Sequence, residues 1–192
     1  MIKTGLFFGS FNPVHIGHLA IANYMIEYSD LQELWFVVSP QNPLKKKKTL
    51  LSESYRLEMT LLAIEGDERF DVSDIEFRMP RPSYTIDTLT YLSEKQPGRE
   101  FVMIMGADGL KNFHRWKNAD LLEKQYHRYV YPRRGTDLKN IGEQKNITIV
   151  NAPLMEISSS FIRKAISEGK DVRYFLPTKT YTYIKDMHFY EK

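Results

Sequence analysis

The 192 residues contain no cysteine. This excludes disulfides, thiolate-bound zinc, iron–sulfur clusters and thiol nucleophiles. Long apolar runs are also missing, since no stretch of 18 apolar residues occurs. The opening segment MIKTGLFFGSFNP is too short in apolar residues to span a membrane and lacks the layout of a secretion signal. A soluble cytoplasmic protein without membrane association is the expectation. Charge of one sign is scarce as well: 27 Lys plus Arg stand against 24 Asp plus Glu, a net +3. Residues 1–96 carry 10 basic and 13 acidic residues, and residues 97–192 carry 17 and 11. That asymmetry suits an anionic ligand but is too small to argue for nucleic acid. No internal repeat and no low-complexity linker interrupts the chain. What is present is an ordinary globular composition, 42% hydrophobic and 27% charged. It fits one domain over residues 1–192, with 158–192 forming C-terminal helices.

Strand and helix signals alternate. Apolar runs at Thr4–Phe8, Leu34–Val38 and Phe101–Met105 read as buried strands, joined by weaker ones at Phe70–Ile75, Tyr129–Tyr131 and Ile147–Val150. Helical patterns fall at Ile16–Tyr28, with Ile16, Leu19, Ala20, Asn23 and Ile26 on one side, and at 52–65, with a stripe of Leu57, Leu61 and Ile64. Further helices are expected at Tyr84–Leu92, 119–124, Ser158–Ser167 and Thr178–Lys185, with Gly135–Asn146 as a surface loop. Alternation with nearly continuous apolar strands predicts an α/β fold with a mainly parallel central sheet and helices on both faces.

The strongest local signal is Gly9-Ser10-Phe11-Asn12-Pro13-Val14-His15-Ile16-Gly17-His18. It lies between the first strand and the first helix, where α/β sheets bind ligands. It is neither GxGxxG nor a Walker A loop. Gly9 permits close approach of a ligand, and free N–H groups of the first helical turn suit phosphate oxygens. His15 and His18, three apart, can share one face of that turn and stabilise charge on a phosphate. The same histidines also fit a structural use, one capping the helix and one packing. Two histidines with no adjacent third ligand make an incomplete zinc site. A second cluster, Ile157-Ser158-Ser159-Ser160-Phe161-Ile162-Arg163, combines helix-capping hydroxyls with an arginine one turn in. Plain capping with Arg163 on the surface is the alternative.

These strings resemble a known family. His15-Ile16-Gly17-His18 is similar to the HxGH signature of the nucleotidyltransferase superfamily, and GSFNPVHIGH resembles the nicotinate-nucleotide adenylyltransferase family. Residues 157–163 resemble that family's ISSTxIR segment, with Ser160 in place of threonine. Pro82–Leu89 resembles its PSYTxDTL element, and Gly106-Ala107-Asp108 with Phe113 and Trp116 its GADxxxxFxxW element. Asn42-Pro43-Leu44-Lys45 resembles a loop usually written PPHK, and Arg133-Arg134-Gly135 an RPG turn. The resemblance spans residues 5–163.

It implies a Rossmann-like nucleotidyltransferase fold that moves the adenylyl group of ATP onto nicotinate mononucleotide, releasing pyrophosphate and nicotinate adenine dinucleotide for NAD biosynthesis. It further implies His18, His15 and Arg163 as catalytic. Gly9, Ser10, Phe11, Lys45, Ile157, Ser158, Ser159 and Ser160 would bind ATP and its phosphates. Asn12, Thr85, Gly106, Asp108, Trp116 and Arg133 would bind nicotinate and ribose, with Trp116 exposed and stacking on the pyridine ring. Mg²⁺ is expected with ATP, with no protein ligand assigned. Homo-oligomerisation stays open. An acceptor carrying an amide is the nearest alternative; a non-enzymatic anion- or RNA-binding module is remote.

Overall fold

The computed structural model describes residues 1–40, 50–136 and 146–192. Its chain order is β1 (Ile2–Gly9), α1 (Ile16–Glu27), β2 (Glu33–Val38), α2 (Glu53–Ile64), β3 (Phe70–Ser73), α3 (Thr85–Lys95), β4 (Arg99–Gly106), α4 (Ala107–Leu110), α5 (Ala119–Gln125), β5 (Arg128–Tyr131), β6 (Ile147–Ile149), α6 (Ser159–Ser167) and α7 (Thr178–Asp186). The six strands form one sheet in the order β3-β2-β1-β4-β5-β6. Every neighbouring pair is parallel. The order reverses between β1 and β4, so their carboxyl ends, Gly9 and Gly106, flank the crevice where doubly wound sheets bind ligands.

Period-two alternation splits the apolar strands between two cores. Phe7, Phe36, Val38, Val102 and Ile104 join Ile21, Met25, Met59, Ile162 and Ile184 on the face covered by α1, α2, α6 and α7. Leu6, Trp35, Val37, Phe101, Met103 and Met105 join Leu89, Leu92 and Leu122 on the face covered by α3 and α5. Burial on both faces is why these strands read as unbroken apolar runs.

Two helices bury only part of the expected stripes. Of Ile16, Leu19, Ala20, Asn23 and Ile26 in α1, Leu19 and Ile26 pack against the core, partly buried, while the fully buried residues are Gly17, Ile21, Ala22 and Met25. The helix is apolar nearly all round, so its sequence period leaves the rotation undetermined. In α2 the buried residues are Arg56, Met59 and Thr60, while Leu61 is exposed. Leu57 and Ile64 of the expected stripe do pack against the core, partly buried, beside the deeper Arg56, Met59 and Thr60. The strand expected to reach Ile75 ends at Ser73, and Ile75–Arg78 forms a 3₁₀ turn. The helix expected at Tyr84 begins at Thr85, with Tyr84 as N-cap, and runs on to Lys95.

Candidate active site

Two adjoining clefts open at the carboxyl end of the sheet. The first is lined by Gly9, Ser10, Phe11, Asn12, His15, His18, Ile157–Ser160 and Arg163. The second is lined by Ser83, Tyr84, Thr85, Gly106, Asp108 and Trp116. Phe7–Ser10, Tyr131 and Arg133 belong to both walls. Thus every residue singled out from the sequence reaches one cleft or both, except Lys45, which lies outside the described residues. The two signature strings meet because α6 docks on the β1–α1 loop. Ser159 Oγ donates to the Pro13 carbonyl at 2.8 Å, and Arg163 Nη1 donates to the Asn12 carbonyl at 2.7 Å.

The loop after β1 is shaped by close packing. Phe11 has a left-handed backbone, φ 41°. Its ring lies against Gly9, where a Cβ would come within 2.6 Å of Cζ. Only glycine fits there without displacing a buried ring. Phe11 meets the His18 ring edge-on at 5.1 Å between centroids, and His15 stacks on His18 at 3.7 Å. The His15 backbone N–H donates to His18 Nδ1 at 3.2 Å. An Nδ1 that accepts must carry the lone pair, so the His18 proton sits on Nε2. His18 is therefore held by the rings of Phe7, Phe11 and His15 and by a hydrogen bond at Nδ1, with Nε2 as a donor. The pair closes the helix start and lines the cleft.

His15 is buried, and its Nδ1 has no hydrogen-bond partner among the described residues. Burial, assisted by the positive charge of Arg133, pushes its pKa down to about 4. The imidazole is neutral at physiological pH and serves without a charge of its own. Because the unfolded-state value is higher, the unfolded chain binds the extra proton first as pH falls. The stabilisation from keeping His15 neutral is full above about pH 6.5 and is lost as pH falls towards 4, by about 3 kcal/mol at most. Urea unfolding at pH 7 and 4.5 tests this. His15→Gln is expected to flatten the pH dependence relative to the parent; identical slopes would contradict it.

Several of these side chains also make contacts within the protein. Asn12 is buried, and its Oδ1 accepts Leu51 N–H at 3.3 Å and Tyr190 O–H at 2.8 Å. That oxygen is committed within the protein, because the chain folds two other segments onto it. Ser158 Oγ caps α6 by accepting Phe161 N–H at 3.2 Å, and the Ser159 hydroxyl is held by Pro13. The Ser160 hydroxyl accepts from Arg163 Nη2 at 3.3 Å, while Arg163 Nε is buried without a partner among the described residues. The positive end of α6 still faces the cleft.

In the second cleft Trp116 is half-buried rather than exposed, packed 5.5 Å from the Phe113 ring. A Cβ on Gly106 would fall within 2.5 Å of Asp108 Oδ1, so glycine lets that carboxylate approach the strand end. Arg133 Nε lies 3.6 Å from Asp108 Oδ1, and its guanidinium covers the Tyr131 ring at 5.2 Å. Sequence reading missed Glu76, a buried carboxylate on this wall. It accepts Ser83 Oγ–H and Thr88 Oγ1–H, each at 3.0 Å. Burial raises its pKa. Nothing in the local sequence marks it, since its partners come from α3 and the chain entering it.

Residues 6–165 match the Cytidylyltransferase-like family. A probable nicotinate-nucleotide adenylyltransferase of Flavobacterium johnsoniae is 48% identical over 193 residues, covering all of both chains. One of Christiangramia forsetii is 50% identical over 191 residues, covering 98% of each. The chain belongs to the nicotinate-nucleotide adenylyltransferase family. Its fold is shared with the nicotinic acid mononucleotide adenylyltransferase of Plasmodium falciparum complexed with NaAD, at TM-score 0.83 and 19% identity over 99% of this chain and 98% of that one. The adenylyltransferase fold thus persists at low identity, as expected when buried strand runs rather than individual residues specify a doubly wound sheet.

Proposed function

We propose that the protein transfers the adenylyl group of ATP to nicotinate mononucleotide, forming nicotinate adenine dinucleotide and pyrophosphate in NAD biosynthesis. The observation that carries this reading is the shared wall of the two clefts at Phe7–Ser10 and Arg133. A nucleotide in each cleft brings its phosphates to that junction. Family membership supplies the identity of the two substrates. The proposal takes residues 1–192 as one nucleotidyltransferase domain, with 158–192 as its C-terminal helices, working in the cytoplasm. Among the described residues no helix is long and apolar enough to cross a membrane.

In this reading a phosphate oxygen of nicotinate mononucleotide attacks the α-phosphorus of ATP. The bond from that phosphorus to the bridging oxygen breaks, and pyrophosphate leaves with the electron pair. The attacking phosphomonoester is already anionic, so no protein nucleophile is needed; alignment and charge stabilisation remain. His18 donates from Nε2 to an α-phosphate oxygen, where charge crowds in the transition state. Neutral His15 lies beside the triphosphate. Arg163 and the positive end of α6 receive the β- and γ-phosphates as pyrophosphate forms, joined by Lys45. Thr85 and the start of α3 take the nicotinate carboxylate, Trp116 the pyridine face, and Asp108 a ribose hydroxyl. No group of three or more histidine and carboxylate side chains able to hold a metal occurs among the described residues. The proposal assigns Mg²⁺ to phosphate oxygens and water, as it commonly accompanies ATP, with no protein ligand named.

Pyrophosphate release tests the reaction. With ATP and Mg²⁺ present, nicotinate mononucleotide is expected to be used much faster than nicotinamide mononucleotide or phosphopantetheine. Equal use of the amide would overturn the acceptor assignment, and release with none of them would overturn adenylyl transfer.

A further inference from the structure

Beneath the phosphate cleft lies a set of polar contacts that the proposed reaction does not use. Tyr190 follows α7 and has a left-handed backbone, φ 66°, as does His188 at φ 52°. Residues other than glycine keep that conformation where their surroundings hold them. The Tyr190 hydroxyl is turned inward and donates to Asn12 Oδ1 at 2.8 Å, across 178 positions of sequence. The same oxygen accepts Leu51 N–H at 3.3 Å, and the Asn12 carbonyl accepts Arg163 Nη1 at 2.7 Å.

Asn12 therefore gathers the segment after α7, the chain entering α2 and the α6 arginine onto one loop. Arg56 braces the same loop from α2. Fully buried, it donates to the carbonyls of Ser10 at 2.6 Å, Ser39 at 2.7 Å, Pro40 at 2.8 Å and Leu51 at 3.0 Å. Leu51 is held through both its N–H and its carbonyl. Burial raises the Tyr190 pKa, so the hydroxyl keeps the proton it donates.

We propose that Tyr190 is a positioning residue for adenylyl transfer: by bonding Asn12 it holds the Ser10–Pro13 loop, and with it Arg163, in register at the phosphate cleft. This rests on the adenylyl-transfer reading above. Without the hydroxyl, Asn12 Oδ1 keeps Leu51 but loses its tie to the C-terminal segment. The loop gains freedom where misalignment costs rate. The acceptor cleft, walled by α3 and Trp116, keeps its own contacts.

The test is Tyr190→Phe, which preserves the ring, assayed beside the parent enzyme, Asn12→Ala and the double variant. The single variant is expected to lose about three- to tenfold in kcat, the scale of one hydrogen bond, with unchanged affinity for nicotinate mononucleotide by calorimetry. In the Asn12→Ala background, Tyr190→Phe is expected to cause no further loss. Parental kcat in Tyr190→Phe, or the same fold-loss in both backgrounds, would overturn the positioning role; so would a lowered thermal midpoint with kcat unaltered. A parent enzyme that releases no pyrophosphate would instead overturn the functional reading on which this role rests.

Discussion

Replacing His18 with alanine is expected to lower turnover by about 10²–10³ while the fold survives. The magnitude is that of a preorganised donor removed from a developing charge, about 2.7–4 kcal/mol. Preorganisation is visible in the ring's fixation: stacked on His15 at 3.7 Å, edge-on to Phe11 at 5.1 Å, and accepting a backbone N–H through Nδ1. No reorientation is needed when the α-phosphorus is attacked. The loss belongs in kcat rather than in ATP affinity, because the donor matters most when charge is crowded. His18→Asn is the companion variant, since an amide can both accept the His15 N–H and keep the helix start closed. Pre-steady-state measurement of the transfer step, together with circular dichroism, checks the outcome. Near-parental turnover in a folded His18→Ala protein would remove His18 from the chemistry.

Replacing Trp116 with alanine is expected to weaken nicotinate mononucleotide binding by about 10- to 100-fold, the scale of losing an aromatic stacking partner for a flat heterocycle. ATP affinity should change little, because Trp116 lines only the second cleft. The indole also packs on Phe113 and its surrounding core, so truncation costs stability as well. Trp116→Phe separates the two effects: it keeps a ring for stacking and most of the packing. Calorimetric titration of each substrate gives the answer. Equal losses for ATP and acceptor, or none for either, would remove the stacking role.

Much of this was legible in the residues themselves. Strand runs such as Leu34–Val38 and Phe101–Met105 announce burial on both faces, because a parallel sheet covered by helices has no solvent side. The strings around His15–His18 and Ser158–Arg163 are readable because their donors are packed into a few consecutive residues at turns that fix the backbone. The element ends were less legible. Helix α3 begins one residue after Tyr84, and β3 stops at Ser73, since terminal residues answer to caps and neighbours rather than to periodicity.

The sequence alone pointed to the alternation of strands and helices, to the two short strings that line the first cleft and to the absence of thiol chemistry, all of which depend on local pattern or on composition. Tertiary structure alone decided which face of α1 and α2 turns inward, that His15 is neutral, and that Asn12 serves Tyr190 and Leu51 through its side chain. It also decided that Arg56 and Glu76, unremarkable as letters, lie buried beside the two clefts. The physical reason is common to these cases. Burial and partnership are set by residues tens to hundreds of positions away, brought together only when the sheet closes and the helices settle on its two faces.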